Sequence, residues 1–196
     1  MTSPVTLRRA SLALLLPVLL QGCGTQAPRG DTDRKGQPML AAAPLHVTAS
    51  IKELMDSTID PAADGLWDSV GTIVTTAGID THQPRTDEEW HAVRRHALTL
   101  IEAMNLVVMD GRHAAPRGTK AGLGELSPQQ MDAKIAANRA EFNLFAQAVH
   151  DEGLKALAAI DRKDPEALSS IGSDLDERCE ACHVTFWYPN SARPTA

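Results

Sequence analysis

Asp164–Phe186, reading DPEALSSIGSDLDERCEACHVTF, is the stretch from which the rest of the chain is best read. Asp164 followed by Pro165 is a helix start: the carboxylate accepts from a free amide of the first turn, and proline fits a position whose N–H has no intrahelical partner. Leu168, Ile171 and Leu175 then recur at spacings of three and four, the period of an amphipathic helix. The same spacing carries on through Cys179, Cys182 and His183 to Phe186.

Within that helix, Cys179-Glu180-Ala181-Cys182-His183 has the C-x-x-C-H form of c-type haem attachment. Offsets of three and four residues put both sulfurs and the imidazole on one face. The chemistry needs this grouping, because two thiols add to the haem vinyl groups while the neighbouring imidazole reaches the iron. Leu168, Ile171 and Leu175 share the face, so the ligand face is also the core face and a haem would lie within the fold. Other uses of the pair are a redox dithiol, a zinc pair and a plain disulfide. A thioredoxin-type dithiol sits in a strand–helix context near the start of its domain, and this pair ends an all-helical pattern. Structural zinc takes four protein ligands, and the chain has no second cysteine pair.

Working outward, three more amphipathic segments carry start signals. Segment one spans about residues 50–74 and opens on Ser50-Ile51-Lys52-Glu53, a capping box. Ile51, Met55, Ala62, Leu66 and Ile73 form its apolar stripe, and Asp60-Pro61 predicts a kink or a fresh cap. Segment two, about residues 87–109, follows the box Thr86-Asp87-Glu88-Glu89, with Trp90, Val93, Ala97, Leu100, Met104 and Val107 inward. Segment three opens at Ser127-Pro128-Gln129-Gln130 and runs through Met131, Ile135, Phe142, Phe145 and Val149 to Ile160, with Gly153 a soft point. A glycine-rich loop spans residues 111–126, and no strand-like alternation of useful length is visible. The expectation is an all-α, antiparallel four-helix bundle with the attachment motif near the end of the fourth helix. Only 4% of residues are aromatic, which also favours helices over a sheet sandwich.

The start of the chain reads as a targeting segment. Arg8 and Arg9 precede the apolar run Ala10–Leu20, too short to span a bilayer, and then Leu20-Gln21-Gly22-Cys23. That last stretch resembles a bacterial lipobox, which implies cleavage before Cys23 and a lipid on its sulfur. The alternative is a plain secretory signal. Residues 1–22 are thus expected to be a signal peptide, 23–46 a lipid-anchored flexible tether, and 47–196 the folded domain, exported to the periplasm and anchored to a membrane. The formal charge of −6 becomes two units more negative without Arg8 and Arg9, which disfavours nucleic acid and favours cationic partners.

A helical bundle with C-x-x-C-H near its C-terminus, followed three residues later by Phe186, resembles the class II cytochromes c, the cytochrome c-prime superfamily, over roughly residues 47–190. The resemblance implies one covalent haem, His183 as the axial iron ligand, and a sixth-ligand site on segment one. Met55 stands near where that superfamily places its distal residue. Methionine there implies a closed His/Met iron and one-electron transfer. An open sixth position implies binding or sensing of small gases such as nitric oxide. Met on an apolar stripe is also ordinary core filling. The chain departs from the superfamily at Trp187, where Arg or Lys is common, and at Ile51, where a basic residue is common and Lys52 is adjacent.

No acid–base or nucleophile constellation marks an enzyme. Periplasmic or membrane redox proteins are the expected partners, and a homodimer is open. His46, His82, His91, His96, His113 and His150 read as solvated or boundary residues, and Met104 as packing. Trp67 and Trp90 are expected in the bundle or at the haem edge. Lys52, Arg94 and Arg95 read as exposed helix charges with the option of pairing to haem propionates.

Overall fold

A computed structural model of the chain describes residues 44–189. Every element below belongs to the unit that begins at Leu45. The leader, Cys23 and nearly all of the tether lie outside the described residues.

The first bundle helix is assembled from three pieces: α1 (Ile51–Leu54), a π-helical turn (Met55–Ile59) and α2 (Asp60–Trp67). Ser50 and Glu53 make the expected reciprocal cap, with the Ser50 amide 2.8 Å from the Glu53 carboxylate. The Asp60-Pro61 disturbance is met by a π turn. Pro61 has no N–H to give and its ring collides with the carbonyl four residues back in a regular helix. Widening the preceding turn, so that the Asp60 amide reaches the Met55 carbonyl, keeps the helix going without a break.

Segment one does not continue to Val74. Helix α2 stops at Trp67, and Gly71–Thr75 (β1) pairs antiparallel with Gly78–His82 (β2). The Thr72-Ile73-Val74-Thr75 run is β-branched throughout, and Gly78 supplies the positive φ, +137°, that the turn requires. Ile73, expected in the core stripe, is 53% exposed on this hairpin.

Helix α3 (Asp87–Val107) has the Thr86–Glu89 box as read from sequence. Segment three is two helices, α4 (Pro128–Ala137) and α5 (Arg139–Asp161). The break falls at Asn138, whose backbone leaves the helical region and whose amide side chain donates to the Lys134 carbonyl at 2.9 Å. Gly153, read as the soft point, sits inside unbroken α5, where Ile101 of α3 approaches it too closely for any Cβ. Helix α6 (Pro165–Phe186) is capped by the Asp164 side chain on the Ala167 amide.

The four long helical bodies pack in a ring, α2 on α3, α3 on α5, α5 on α6 and α6 on α2. One core of Leu54, Leu66, Leu100, Ile160, Leu168 and Leu175, among others, runs through them. Burying each such side chain stabilises the fold by about 1.5–3 kcal/mol. The chain is an antiparallel four-helix bundle with a small added hairpin. Among the described residues no helix is long and apolar enough to cross a membrane.

The connection between α3 and α4 is pinned by buried Arg112. Its guanidinium donates to the carbonyls of Leu106, at 2.7 Å, and of Ala49, and burial lowers its pKa from the ordinary arginine value. The amides of Ile51 and Lys52 meanwhile donate to the carbonyls of His113 and Ala114, at 2.9 Å each. The loop thereby satisfies otherwise free amides at the start of α1 and is held over that end of the bundle.

Candidate haem site

Cys179, Cys182 and His183 come off the last two turns of α6, all half-buried, with both sulfurs packed against the core. The two thiols are not joined as a disulfide. Burial pushes the Cys182 thiol up to about 12, with Cys179 adding to the effect, so this sulfur is held as a neutral thiol.

Beside these residues are two cavities of about 270 and 230 Å³. Met55, Asp60, Cys182 and His183 line both, and Phe142 and Trp187 are further shared walls. The larger is completed by Ile59, Met104, Phe145, Val149 and Cys179, and the smaller by Ile51, Met131, Ile135 and the loop residues Ala114, Ala115 and Lys120. The walls are mostly apolar, as suits a site that excludes water from a bound planar group. Phe186, buried behind the motif, stands edge-on to Phe142 and Phe145 at centroid separations of 5.3 and 6.1 Å.

The structure thus brings together Met55, Cys179, Cys182 and His183, the residues singled out from sequence. The π turn has a direct part in this. It begins at Met55, so the residue that faces α6 is the one at which the helical register changes. Met104 is buried packing and also wall. Trp67 reaches the larger cavity and donates its indole N–H to the Gly172 carbonyl at 2.9 Å, whereas Trp90 is buried in the core. His96 packs its ring over Gly65 between α2 and α3. His113 and His150 pair with Asp132 and Asp151. Arg94 is spent on Asp161 at 2.9 Å, and Lys52 lines the smaller cavity while bridging to Asp56.

Sequence reading missed three contributors. Asp60, read as a cap, faces both cavities, and its pKa is raised by burial first and then by Asp56 and Asp64. Trp187 and Tyr188 lie beyond the periodic stretch, so helical spacing gave no hint of them. The helix ends at Trp187, whose amide, with that of Tyr188, donates to the His183 carbonyl at 2.8 and 3.1 Å. Both rings fold back onto the His183 imidazole, Trp187 edge-on at 5.3 Å and 87°, Tyr188 tilted at 6.2 Å.

The donor set fits a haem: two thiols three residues apart, an imidazole beside the second, a thioether on another helix, and apolar walls between. Among the described residues no three or more His, Cys, Asp or Glu side chains converge as a metal-ion site.

No family model matches the sequence, and no curated protein matches it. Among solved structures, the chain is similar to a cytochrome c′, at 21% identity and a TM-score of 0.43, over 70% of this chain and 88% of that one. It is also similar to the nitric oxide complex of a leucine-to-valine mutant of cytochrome c prime from Alcaligenes xylosoxidans. That match has 20% identity and a TM-score of 0.45, over 70% of this chain and 93% of the other.

Proposed function

We propose that this protein is a c-type cytochrome that carries one covalent haem and transfers single electrons. The observation that carries the reading is the convergence of Cys179, Cys182 and His183 on the larger cavity, which Met55 also lines. When bound, the haem supplies a one-electron ferric–ferrous couple. The chain does the rest. Cys179 and Cys182 would hold the porphyrin through thioether bonds, His183 would provide an imidazole ligand, and Met55 would provide a thioether ligand. The apolar walls keep water from the site, and a closed His/Met pair favours the reduced state and a raised potential. The half-exposed positions of the motif leave an edge from which an electron can pass to a docked partner.

Export and a lipid on Cys23 complete this reading. A tether would hold the cytochrome close to membrane redox proteins and raise its effective concentration there. The acidic charge of the chain suits partners with a basic docking face.

Expression with cytochrome maturation machinery tests the reading. Mass spectrometry of the matured chain should show one haem added, and C179A/C182A should abolish the addition. Optical and electron paramagnetic resonance spectra of the ferric protein should be low-spin. A five-coordinate high-spin ferric spectrum overturns the electron-carrier reading and points instead to a protein that binds small gases at open iron.

A further inference from the structure

Tyr188 is the largest fully buried side chain of the described residues, although it lies past the end of α6. Its hydroxyl donates to the Glu180 carboxylate at 2.7 Å. Glu180 is the first of the two residues between the attachment cysteines, so the bond ties the segment after the helix back to the motif itself. The two amides on the His183 carbonyl, and the Leu126 amide donating to the Trp187 carbonyl at 2.8 Å, hold the same segment from both sides. Trp187 and Tyr188 pack on each other at 5.1 Å, and both contact the His183 ring. An imidazole packed against two rings that also pack on each other has less freedom about its Cβ–Cγ bond, since an edge-to-face pair such as His183–Trp187 has a preferred geometry.

We propose that Tyr188, latched by Glu180, is a positioning residue that fixes the rotational setting of the His183 imidazole and, with Trp187, screens that ring from water. The proposal rests on the haem reading above. Orientation of an iron-bound imidazole by neighbouring groups tunes the metal, and ring packing by Trp187 and Tyr188 is one such group of contacts. Losing a hydrogen bond to a charged acceptor is costly, so removing the carboxylate should loosen the tyrosine ring and with it the imidazole on which it packs.

The test uses the matured protein with covalent haem confirmed by mass spectrometry, which separates failure of this proposal from failure of the haem reading. Y188F and E180A should each broaden and shift the paramagnetically displaced His183 resonances in proton NMR spectra of the low-spin ferric form. They should also raise amide exchange at Tyr188 and Leu126 by roughly tenfold, the weight of one hydrogen bond to a charged group. E180Q keeps an acceptor oxygen and should stay close to the parent in both measurements. If Y188F does not mature, the E180A and E180Q pair decides. Unshifted His183 resonances in E180A, with haem attached, overturn the latch, as do resonances in E180Q displaced as far as in E180A.

Discussion

Met55 and His183, on different helices and 128 residues apart in sequence, line the same two cavities. On the proposed reading, this thioether and imidazole would be the two ligands that close the haem iron. M55A should therefore convert the ferric protein from low- to high-spin and abolish the sulfur-to-iron absorption. M55L keeps the volume and should give the same spectral change at a cost in stability below about 1.5 kcal/mol. A low-spin sulfur signature that survives in both variants would assign the ligand to another residue. Met104, also in the wall of the larger cavity, is the next to replace.

The Cys182 thiol makes a prediction about the chain before haem is attached. Its pKa is pushed up to about 12 by burial, from an ordinary value of 9.0. The folded state therefore holds its proton over a range where the unfolded state has lost it. By linkage, this contributes stability that is intact below pH 9 and falls as pH rises from there towards 12, by at most about 1.4 kcal/mol per unit. In the folded, haem-free protein at pH 8, iodoacetamide should modify Cys182 far more slowly than in denaturant, because the thiolate is the nucleophile. Equal rates in both states would show that the sulfur is not buried as described. The haem-bearing form lacks a free thiol and should lose the alkaline slope from this residue.

How much of this was legible beforehand depends on which physical signal each residue carries. Helix starts were plain, because Ser50, Thr86, Ser127 and Asp164 cap by side-chain chemistry that is local in sequence, and all four cap as read. The motif and the apolar stripe leading to it were plain for the same reason. Helix ends were harder. Ile73 fitted the helical stripe, yet its β-branched neighbours and Gly78 let a hairpin form once Trp67 had closed the core. Asn138 broke segment three where a glycine was suspected, since Gly153 is required by close helix packing, a tertiary fact that no periodicity records. The Trp187 and Tyr188 cover on His183 depends on the chain turning back after its last helix, which spacing does not encode.

Gly153 gives a prediction in which two opposed effects have known sizes. Alanine in a helix interior is better than glycine by about 0.8–1 kcal/mol. A Cβ at Gly153, however, would lie 2.7 Å from Ile101 Cγ1, and that side chain is buried between helices. Overpacking of this kind costs about 1–3 kcal/mol, so G153A should be net destabilising, lowering the midpoint of thermal unfolding by a few degrees. Shortening the neighbour should reverse part of the loss. The double variant G153A/I101V should be more stable than the two single effects added together, and a double-mutant cycle with no coupling would place the clash elsewhere.

Glu152 is a carboxylate only 3% exposed on its side chain, in the middle of α5. One oxygen meets Lys155 at 2.7 Å and lies 3.7 Å from Arg178, while Oε2 has no hydrogen-bond partner among the described residues. Both cations are about half-exposed, so each can return to water if the carboxylate is removed. That weakens the usual penalty for stranding a buried charge, and leaves the desolvated, half-satisfied carboxylate as the larger cost. E152M fills nearly the same space without a charge and should leave stability unchanged or raised by about 1–2 kcal/mol, as read from denaturant unfolding. E152A removes the packing as well and should be destabilising by roughly 1–3 kcal/mol. If E152M proved as damaging as E152A, the ion pair between α5 and α6 would be worth more than its burial costs. The Arg178 contact, one residue before Cys179, would then be the bond to replace next.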